Sequence, residues 1–491
     1  MSRDLILAID TGSSSCRAVL VDTAGTIIAD GRASVPWKYP RQNWVEMDPI
    51  ALWDATRSAI TEAVAKVDAA DVVAVGVTSH RETVIMWDRR TGAPAHDAVV
   101  WISQQTDDIV RRWEDDGLAP MFEQRTGLRN DSFFSAAKVV WLLEEVPGLR
   151  ARAEAGEIAM GTVDSWVLWN LTGGTMHATD HSCASRTALF NLDSLAWDEE
   201  ICARLDIPMA IFATVLPSDG DFGRVAADLI EHQPPVRAVI ADQQAGMFGQ
   251  ACLEPGSAKN TFGTAAVLTF NTGTTPMLVP GLTASVGWTV QGATAYESEG
   301  VVFHSGQTLS WMQESLGISA GGARIDDIAS SVASTGGVYI VPAFGGMCAP
   351  HWNRNARAAL TGMSLETSRA HVIRAAVEAM VYQTVDILRI PDLGSLSVTS
   401  LKVDGGGAQS DWLCQFLADI GDLEVVRPRE LERTALGCAY IAGIATGIWK
   451  DHADAASTWS VDRTFEPHMG ADERATLYAG WQRALTQVVR P

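Results

Sequence analysis

The feature that most constrains the fold is a unit of two short apolar segments around a small polar turn, because it occurs twice. In the first copy, segments 5–9 and 17–21 flank residues 10–15, and a further apolar segment follows at 26–29. In the second copy, segments 257–262 and 265–270 flank Gly263 and Thr264. Apolar runs bounded by turn residues predict β-strands, here antiparallel ones. One copy opens each half of the chain, which predicts two halves that pack against each other around a cleft.

Strand and helix patterns alternate through the rest of each half. Buried-strand patterns at 72–77, 238–240, 338–341 and 401–403 occur among helical patterns at 50–67, 134–145, 242–248, 307–315, 368–388, 409–420 and 434–446. With 491 residues, the chain is long enough for two or three domains of ordinary size. We place the boundary within residues 249–255 and predict an α/β protein with one domain over residues 1–249 and a second over residues 250–491. From about residue 450 onwards, no motif has an evident chemical role.

The charge balance narrows the classes of partner. The chain has 59 acidic and 37 basic residues, a net charge of −22. This argues against a broad nucleic-acid surface, which needs clustered Lys and Arg, and against binding to anionic membranes. A phosphorylated ligand would have to be bound locally, by backbone amides, a few cations and a metal ion.

The cysteine pattern and the lengths of the apolar segments indicate the cellular compartment of the protein. Seven cysteines, an odd number without a CxxC pair, predict reduced thiols and not a disulfide or zinc framework. The first ten residues lack the regions of a signal peptide, and no apolar run approaches the length of a membrane span. We therefore expect a cytoplasmic protein.

The first turn carries the residue types that bind a nucleotide's phosphates. Asp10 ends the first strand pattern and can hold Mg²⁺ directly or through water. Ser13, Ser14 and Ser15 are small, so backbone amides and hydroxyls can approach phosphate oxygens, and Arg17 can pair with phosphate. The alternative interpretation is a polar hairpin turn with a surface arginine. Gly263 and Thr264 form the counterpart in the second half.

A glycine run marks a second candidate for nucleotide binding. Gly405, Gly406 and Gly407 lie between a predicted strand and a predicted helix, where backbone amides can face a ligand. The run matches neither GxGxxG nor the Walker A pattern, because no GK[ST] follows. A tight strand–helix turn explains it equally well.

Three positions could bind or activate a hydroxyl-rich substrate. Asp242 follows a strand and opens a helix, which suits either a general base or an ordinary helix cap. Arg81 and Glu82 follow another strand and offer a donor and an acceptor to a polyol, or else form a solvated ion pair. Trp101 could form an apolar wall for a carbon chain, or belong to the core.

Two long segments and six short ones together resemble a known family. The long ones are FFSAAKVVWLLEE at 133–145 and residues 358–378, with Leu360, Gly362, His371, Ala375 and Glu378. The short ones are NWVEMDP at 43–49, GTVDS at 161–165, ASRT at 184–187, ADQQ at 241–244, KNTFGT at 259–264 and TALG at 434–437. In this order, from about residue 5 to 485, the chain resembles the FGGY carbohydrate kinases, and among them the glycerol kinases.

The resemblance implies a fold, cofactors and site residues. The fold would be actin-like, with two ribonuclease-H-like domains around a cleft that binds ATP and Mg²⁺, the polyol and phosphates on the first domain and the nucleotide on the second. Asp242 would be the catalytic base, and the metal would lie at Asp10 and Asp242. The nucleotide site would include Ser13, Ser14, Ser15, Arg17, Thr264, Gly306, Ser310, Gly405, Gly406 and Ser410. The substrate site would include Arg81, Glu82, Trp101, Phe133, Asp242, Gln243 and Val267.

Several positions depart from the glycerol kinase pattern. Phe133 stands where that pattern has a tyrosine, and Val267 where it has a phenylalanine, so one hydroxyl is lost and the pocket gains room. Residues 103–105 replace an acid and two arginines, and Ser310 and Ser410 replace a Gln and an Asn near the nucleoside.

The implied function is phosphorylation of a small polyol or sugar, with glycerol converted to glycerol 3-phosphate. The first alternative is a kinase for a tetritol, pentitol or pentulose, similar to xylulose kinases. The second is an actin-like nucleotide-binding module without phosphoryl transfer. The expected partner is the small substrate, without nucleic acid or membrane, and a homodimer or homotetramer is left open.

Overall fold

The computed structural model describes residues 4–318 and 324–489. Its strands are β1 (Leu5–Thr11), β2 (Ser15–Asp22), β3 (Ile27–Ser34), β4 (Trp37–Lys38), β5 (Glu46–Met47), β6 (Val72–Ser79), β7 (Ile85–Asp88), β8 (Ala98–Val99), β9 (Ile158–Gly161), β10 (Ala178–Asp180), β11 (Phe190–Asn191), β12 (Ala196–Trp197), β13 (Thr214–Leu216), β14 (Val236–Ala241), β15 (Ala258–Phe262), β16 (Ala266–Gly273), β17 (Thr283–Val290), β18 (Ala293–Val302), β19 (Tyr339–Val341), β20 (Ala359–Thr361), β21 (Ser400–Asp404), β22 (Glu424–Pro428) and β23 (Val461–Phe465).

The α-helices alternate with these strands through both halves. They are α1 (Pro49–Val64), α2 (Asp107–Asp115), α3 (Ala119–Thr126), α4 (Ser135–Glu145), α5 (Leu149–Glu154), α6 (Val163–Leu171), α7 (His181–Ser185), α8 (Glu199–Arg204), α9 (Asp242–Gly249), α10 (Gly306–Leu316), α11 (Ile325–Ser330), α12 (Arg369–Leu388), α13 (Asp411–Gly421), α14 (Arg433–Ala445), α15 (His452–Ala456) and α16 (Ala471–Val488).

The first half is built on a five-stranded sheet in the order β14-β6-β1-β2-β3. The hairpin of β1, β2 and β3 is antiparallel, whereas β1, β6 and β14 run parallel. In register, Thr11 of β1 and Ala241 of β14 both lie beside Ser79 of β6. The three parallel strands therefore end at one edge, which is where open α/β sheets bind ligands.

The second half is built on a seven-stranded sheet in the order β17-β18-β16-β15-β21-β22-β23. Here the β15–β16 hairpin is antiparallel, and β15 runs parallel to β21 with Thr261 opposite Asp404. The turn after β15 and the glycine run after β21 consequently meet at one edge. Each sheet thus begins with a hairpin and presents the ends of parallel strands to the cleft, which confirms the predicted α/β class.

One helix of the second half packs on the sheet of the first. Leu436 and Ile441 of α14 share a buried apolar cluster with Ile6 and Ala8 of β1. Helices α9 and α14 cross so closely that a Cβ on Gly437 would lie 1.9 Å from the carbonyl oxygen of Ala245. The two halves are therefore joined through a shared core as well as across the cleft.

The structure corrects several predicted boundaries. Asp10 lies within β1, opposite Arg17 of β2, and not in the turn, which is confined to residues 12–14. The helix predicted from 409 begins at Asp411, because residues 406–409 form a single 3₁₀ turn. The stretch beyond residue 450 contributes β23 and α16 to the second half, where Trp481 is fully buried. Within the residues described, no helix is both long and apolar enough to cross a bilayer.

Candidate active site

A cleft of about 970 Å³ lies between the two halves and collects most of the predicted site residues. Its walls include Asp242, Gln243, Arg81, Glu82, Trp101, Phe133, Val267, Ser13, Ser14, Thr264, Gly306, Ser310 and Gly406. Asp10, Ser15, Arg17, Gly405 and Ser410 are not part of this lining. Segments far apart in sequence meet here because both sheets present their carboxyl edges to the cleft.

Asp242 lines the cleft beside Arg81 and Glu82. We call the part of the cleft lined by Asp242, Arg81, Glu82, Trp101 and Phe133 the acceptor end, because the sequence predicts that the substrate binds there. Asp242 is the first residue of α9, directly after β14, so the positive end of the helix dipole favours its carboxylate. Its Oδ1 accepts the backbone N–H of Gln243 at 2.7 Å and lies 3.4 Å from Nε of Arg81. The side chain is 21% exposed, so it can reach a ligand in the cleft. Because Asp242 directly follows β14 at the cleft edge of the sheet, its carboxylate can act as a general base toward a bound hydroxyl.

Arg81 and Glu82 belong to a buried ring of alternating charges. Nη1 of Arg81 lies 2.6 Å from Oε2 of Glu299, whose Oε1 lies 2.8 Å from Nη2 of Arg186. Nε of Arg186 donates to Oε1 of Glu82 at 2.8 Å, and Glu82 lies 3.7 Å from Nε of Arg81. All four side chains are at most 5% exposed. The solvated ion pair that was an alternative for Arg81 and Glu82 is therefore excluded.

The backbone at Glu82 is held in an uncommon conformation. Its φ is 64°, in the left-handed region, which costs a non-glycine residue on the order of 1–3 kcal/mol. Ser135 donates a hydrogen bond to its carbonyl at 3.1 Å. The burial of Glu82 raises the pKa of its carboxyl, while Arg81 and Arg186 oppose that shift. The surrounding structure thus fixes this carboxylate at the cleft wall.

Four residues of this end were missed by the sequence reasoning. Arg186, Glu297, Glu299 and Lys259 are all fully buried. Nζ of Lys259 donates to Oε1 of Gln243 at 2.7 Å and so orients that amide. Two glutamates at alternate positions of one strand face, 297 and 299, were the available signal, because buried like charges on one face need partners.

Glu297 is a further buried carboxyl group, beside the ring of alternating charges. Its Oε1 accepts from Nε2 of Gln244 and Oγ of Ser285, both at 2.8 Å, and lies 3.9 Å from Nη1 of Arg81. Within the described residues its Oε2 has no hydrogen-bond partner. Burial first, and the neighbouring carboxylate of Glu299, raise the pKa of Glu297.

The turn after β1 presents Ser13 and Ser14 to the cleft, beside two indoles. Trp37 donates to the carbonyl of Ser13 at 2.6 Å, and Trp101 donates to its Oγ at 2.9 Å. Arg17 points elsewhere, because it pairs with Glu432 and lies 3.5 Å from Asp30. A phosphate role for Ser13 and Ser14 stays a prediction, and the role predicted for Arg17 would require it to leave Glu432.

Asp10 and Asp242 offer a cation two carboxylates at the first-half edge. Removal from water, and then the charge of Asp242, raise the pKa of Asp10 to about 7. Such mutual repulsion is what a bound divalent ion relieves. Among the described residues no set of three or more His, Cys, Asp or Glu side chains is suited to a metal. This donor set fits Mg²⁺, which takes one or two carboxylates together with phosphates and water.

The second-half edge is built from glycine and small hydroxyl residues. Gly306 approaches the Gly263 turn so closely that its N–H donates to that carbonyl at 3.1 Å. Gly405 has φ 79°, and a Cβ there would lie 2.6 Å from the carbonyl of Phe262, so this glycine shapes the turn. A Cβ on Gly406 would meet only open space. The glycine run is thus both a tight turn and an open backbone surface.

A second cavity of about 680 Å³ continues from this edge. Ser310, Gly406 and Ser410 all line it. The Ser410 hydroxyl is engaged, because it accepts from the N–H of Leu413 at 3.0 Å as the cap of α13 and also pairs with Asp326. A direct role of Ser410 toward a nucleoside stays a prediction.

Apolar groups line the remaining side of the acceptor end. The ring centroids of Trp101 and Phe133 are 5.7 Å apart, and those of Phe133 and Phe303 are 5.6 Å apart. Val267 packs with Val301 on β16 and β18. Trp101 is half-buried, lines the cleft and also packs against two buried clusters of the first half.

Comparisons with known proteins agree with this geometry. The N-terminal domain model of the FGGY family of carbohydrate kinases matches residues 5–249, and its C-terminal domain model matches residues 258–446. A glycerol kinase of Dechloromonas aromatica is 44% identical over 99% of this chain and 97% of its own length. Glycerol kinase 2 of Thermotoga maritima is 41% identical over 98% of each chain.

Solved structures show the same architecture. The glycerol kinase of Plasmodium falciparum with ADP superposes with a TM-score of 0.90 at 28% identity, covering 100% of this chain and 99% of that one. A xylulose kinase of Lactobacillus acidophilus, at 19% identity and a TM-score of 0.86 over 99% of each chain, shares the fold. The two-domain, actin-like fold is therefore confirmed.

The family fixes the general chemistry. Kinases of this family act on small polyols and sugars and use ATP with Mg²⁺, which agrees with the carboxylates and open backbone turns of the cleft. The full-length matches confirm the family expected from the sequence segments. The chain belongs to the FGGY family of carbohydrate kinases and is an ATP-dependent kinase.

Proposed function

We propose that the enzyme transfers the γ-phosphoryl group of ATP to a terminal hydroxyl of a short polyol, with glycerol to glycerol 3-phosphate as the reference reaction. The observation that carries the proposal is the position of Asp242, at the common edge of β1, β6 and β14 and 3.4 Å from Arg81. The names of the full-length relatives, glycerol kinases of D. aromatica and T. maritima, support glycerol as an acceptor.

In the proposed mechanism the acceptor binds between the charged ring and the aromatic wall. Arg81 donates to acceptor oxygens, and Glu82 accepts from acceptor hydroxyls. Asp242 takes the proton of the attacking hydroxyl, whose oxygen forms the new bond to the γ-phosphorus of ATP. The bond from that phosphorus to the oxygen it shares with the β-phosphate breaks, and ADP leaves. The amide of Gln243, held by Lys259 at 2.7 Å, supplies a further hydrogen bond. This division follows from the chemistry of phosphoryl transfer, in which positioning and charge stabilisation dominate.

The residues proposed for the nucleotide act at the other end of the cleft. Ser13, Ser14 and the turns at Thr264 and Gly406 would hold the phosphates through backbone N–H groups and hydroxyls. Mg²⁺ bound with ATP would offset charge on the phosphates, and Asp10 and Asp242 are the carboxylates available to hold it. Because the cleft is lined by both halves, closure would exclude water and limit ATP hydrolysis.

The test is acceptor-dependent release of ADP from MgATP in a coupled assay with glycerol. We expect turnover that requires both ATP and glycerol, with phosphate recovered on a terminal carbon by ³¹P NMR. Nucleotide binding without ADP release on any polyol would favour the non-catalytic actin-like module instead. Light scattering would test the expected homodimer or homotetramer, and fractionation of cells the expected cytoplasmic location.

A further inference from the structure

A third cavity, of about 330 Å³, adjoins the acceptor end of the cleft. The two cavities share five wall residues, Trp37, Tyr39, Trp101, Phe133 and Gln307. We call this cavity the side chamber; its own walls include Ile102, His304, Phe344, Gly345, Met347 and Trp352. Its volume is at the lower end of the ~300–1,000 Å³ typical of small-molecule sites. The two cavities are therefore neighbours, separated only by these shared side chains.

Aromatic rings form one side of the chamber, and polar side chains such as Asn43, Ser103 and Gln104 line other parts of it. Trp101, Phe133 and Phe303 form a continuous wall, with centroid separations of 5.7, 5.6 and 6.4 Å. Phe344 packs on the far side, 5.4 Å from the ring of His304. Mostly apolar walls with a few polar groups are typical of a site for a small organic molecule.

Two neutral polar side chains face the chamber without partners. In the part of the chain that the structure describes, neither the ring of His304 nor the amide of Gln307 makes a hydrogen bond, and Oε1 of Gln307 is buried. Burial lowers the pKa of His304 to about 4, so the ring is neutral at physiological pH and can donate as well as accept. Unpaired polar groups of this kind suit hydroxyl groups, which also donate and accept.

The charges around the chamber disfavour an anionic ligand. Asp131 lies 2.9 Å from Nη2 of Arg354, and Asp107 lies 3.9 Å from Nη1 of the same guanidinium. Two carboxylates thus share one cation, which leaves the chamber with a net negative charge. A carboxylate or phosphate on the ligand would be repelled and would find no free cation among these lining residues.

We infer that the side chamber is a second acceptor subsite, which takes the distal hydroxylated carbons of a neutral polyol or ketose of four or five carbons. The inference rests on the proposed function, because the acceptor must be phosphorylated at the end held by Asp242. It adds that glycerol leaves the chamber empty and that sugar acids are excluded. Phe133, which has no hydroxyl, lines both cavities, so the longer acceptor would pass beside its ring.

Gly345 allows the chamber to be filled by substitution. A Cβ there would lie 3.6 Å from Nε2 of Gln104 and from Cε1 of His304, which is ordinary contact. Gly345→Leu should therefore fill the chamber, with Gly345→Ala as its matched control. Gln307→Leu removes the free amide at similar volume. The readout is the ratio of kcat/KM for erythritol, ribitol or xylulose to kcat/KM for glycerol.

For the unmodified enzyme we expect a ratio of about ten or more for at least one of these acceptors, and no turnover of erythronate or gluconate. Gly345→Leu should lower the ratio at least about tenfold, and Gln307→Leu by about tenfold, while Gly345→Ala should not. A ratio below one for every longer acceptor would overturn the inference. So would a high ratio that Gly345→Leu leaves unchanged, or turnover of a sugar acid. Absence of ADP release with all acceptors would instead reject the proposed function itself.

Discussion

The two ends of the cleft are lined by different chemical groups. At the acceptor end, Arg81, Arg186, Glu82 and Glu299 hold each other in a buried ring, contributed by both halves of the chain. At the other end, where we propose that the nucleotide binds and which we call the nucleotide end, turns at Gly263 and Gly406 expose backbone beside a mainly uncharged lining. The charged side chains of the acceptor end can orient individual hydroxyl groups of a ligand, whereas the exposed backbone of the other end can match the shape of a ligand. Single substitutions should therefore be far more damaging at the acceptor end.

The difference follows from the cost of burying charge. Each ionised group of the ring is stabilised by the others, so removing one leaves an uncompensated charge, which typically costs about 3–5 kcal/mol. At the nucleotide end, a missing hydroxyl can be replaced by water at a typical net cost of about 1 kcal/mol. The following predictions test this contrast, from the largest expected effect to the smallest.

The largest effect is expected for Asp242→Asn. Loss of the proton acceptor should lower kcat by about 10²–10⁴-fold, the usual contribution of a general base, without unfolding the protein. Steady-state kinetics and thermal melting measure the two effects separately. Asp221→Asn, at an exposed carboxylate, is the matched control. Wild-type turnover by Asp242→Asn would remove this residue from the mechanism.

The next effect concerns Glu299, which never needs to touch the acceptor. Glu299→Gln removes the ionised partner shared by Arg81 and Arg186, so the Arg81 guanidinium should lose its fixed direction. We expect KM for the acceptor to rise at least about tenfold, with KM for ATP changed much less. Titration of acceptor and ATP separately distinguishes this outcome. Equal increases in both constants would contradict a role confined to the acceptor end.

The ionisation of Glu297 should make the free energy of unfolding depend on pH. Because the pKa of Glu297 is raised in the folded protein, its neutral carboxyl contributes to the free energy of unfolding. This contribution is fully present below the unfolded-state pKa of about 4.3 and is lost as pH rises through the pKa of the folded state. Glu297→Gln keeps an oxygen for Gln244 and Ser285 but cannot ionise. The variant should therefore gain stability relative to the wild type between pH 5 and pH 8. Urea unfolding at both pH values measures this, and a constant difference would be the contrary result.

The smallest effect on activity is expected for Ser410→Ala. Its hydroxyl caps α13 through Leu413, so the loss should appear as about 0.5–2 kcal/mol of unfolding free energy. KM for ATP should change by less than about threefold, since backbone turns carry that end of the cleft. A tenfold rise in KM with unchanged stability would make Ser410 a direct nucleotide ligand after all.

Local patterns were enough to predict the strands and helices that frame the site. The alternation around residues 5–29 specified β1 to β3, and the position of Asp242 after a strand and at a helix start placed it at a ligand-binding edge. Local patterns could not predict which charged residues pair when they lie far apart in the sequence. Arg186 and Glu299 lie 113 positions apart in number, and only the packing of α7 on β17, which pairs with β18, brings them together.

Local patterns also do not show the surroundings of Arg17 and Asp10. Arg17 matches a phosphate-binding pattern, and in the structure it pairs with Glu432, directly before α14; its role toward phosphate stays a prediction. Asp10 was assigned to the turn because small polar residues follow it, although the β1–β2 register extends through Thr11 and Cys16. The contact of Arg17 with Glu432 depends on tertiary packing, which a single sequence does not show.

The packing of α14 on the first sheet bears on how the protein is made. Ile6, Ala8, Ala74 and Ile240 have their apolar cover supplied by residues near the end of the chain, in α14. While the ribosome synthesises the second half, that face of the nascent first half lacks its cover and can attract other apolar surfaces. A fragment that ends at residue 249 would keep this face open permanently. We therefore expect such a fragment to aggregate, and the newly made chain to be most exposed to misfolding until residue 445 has emerged.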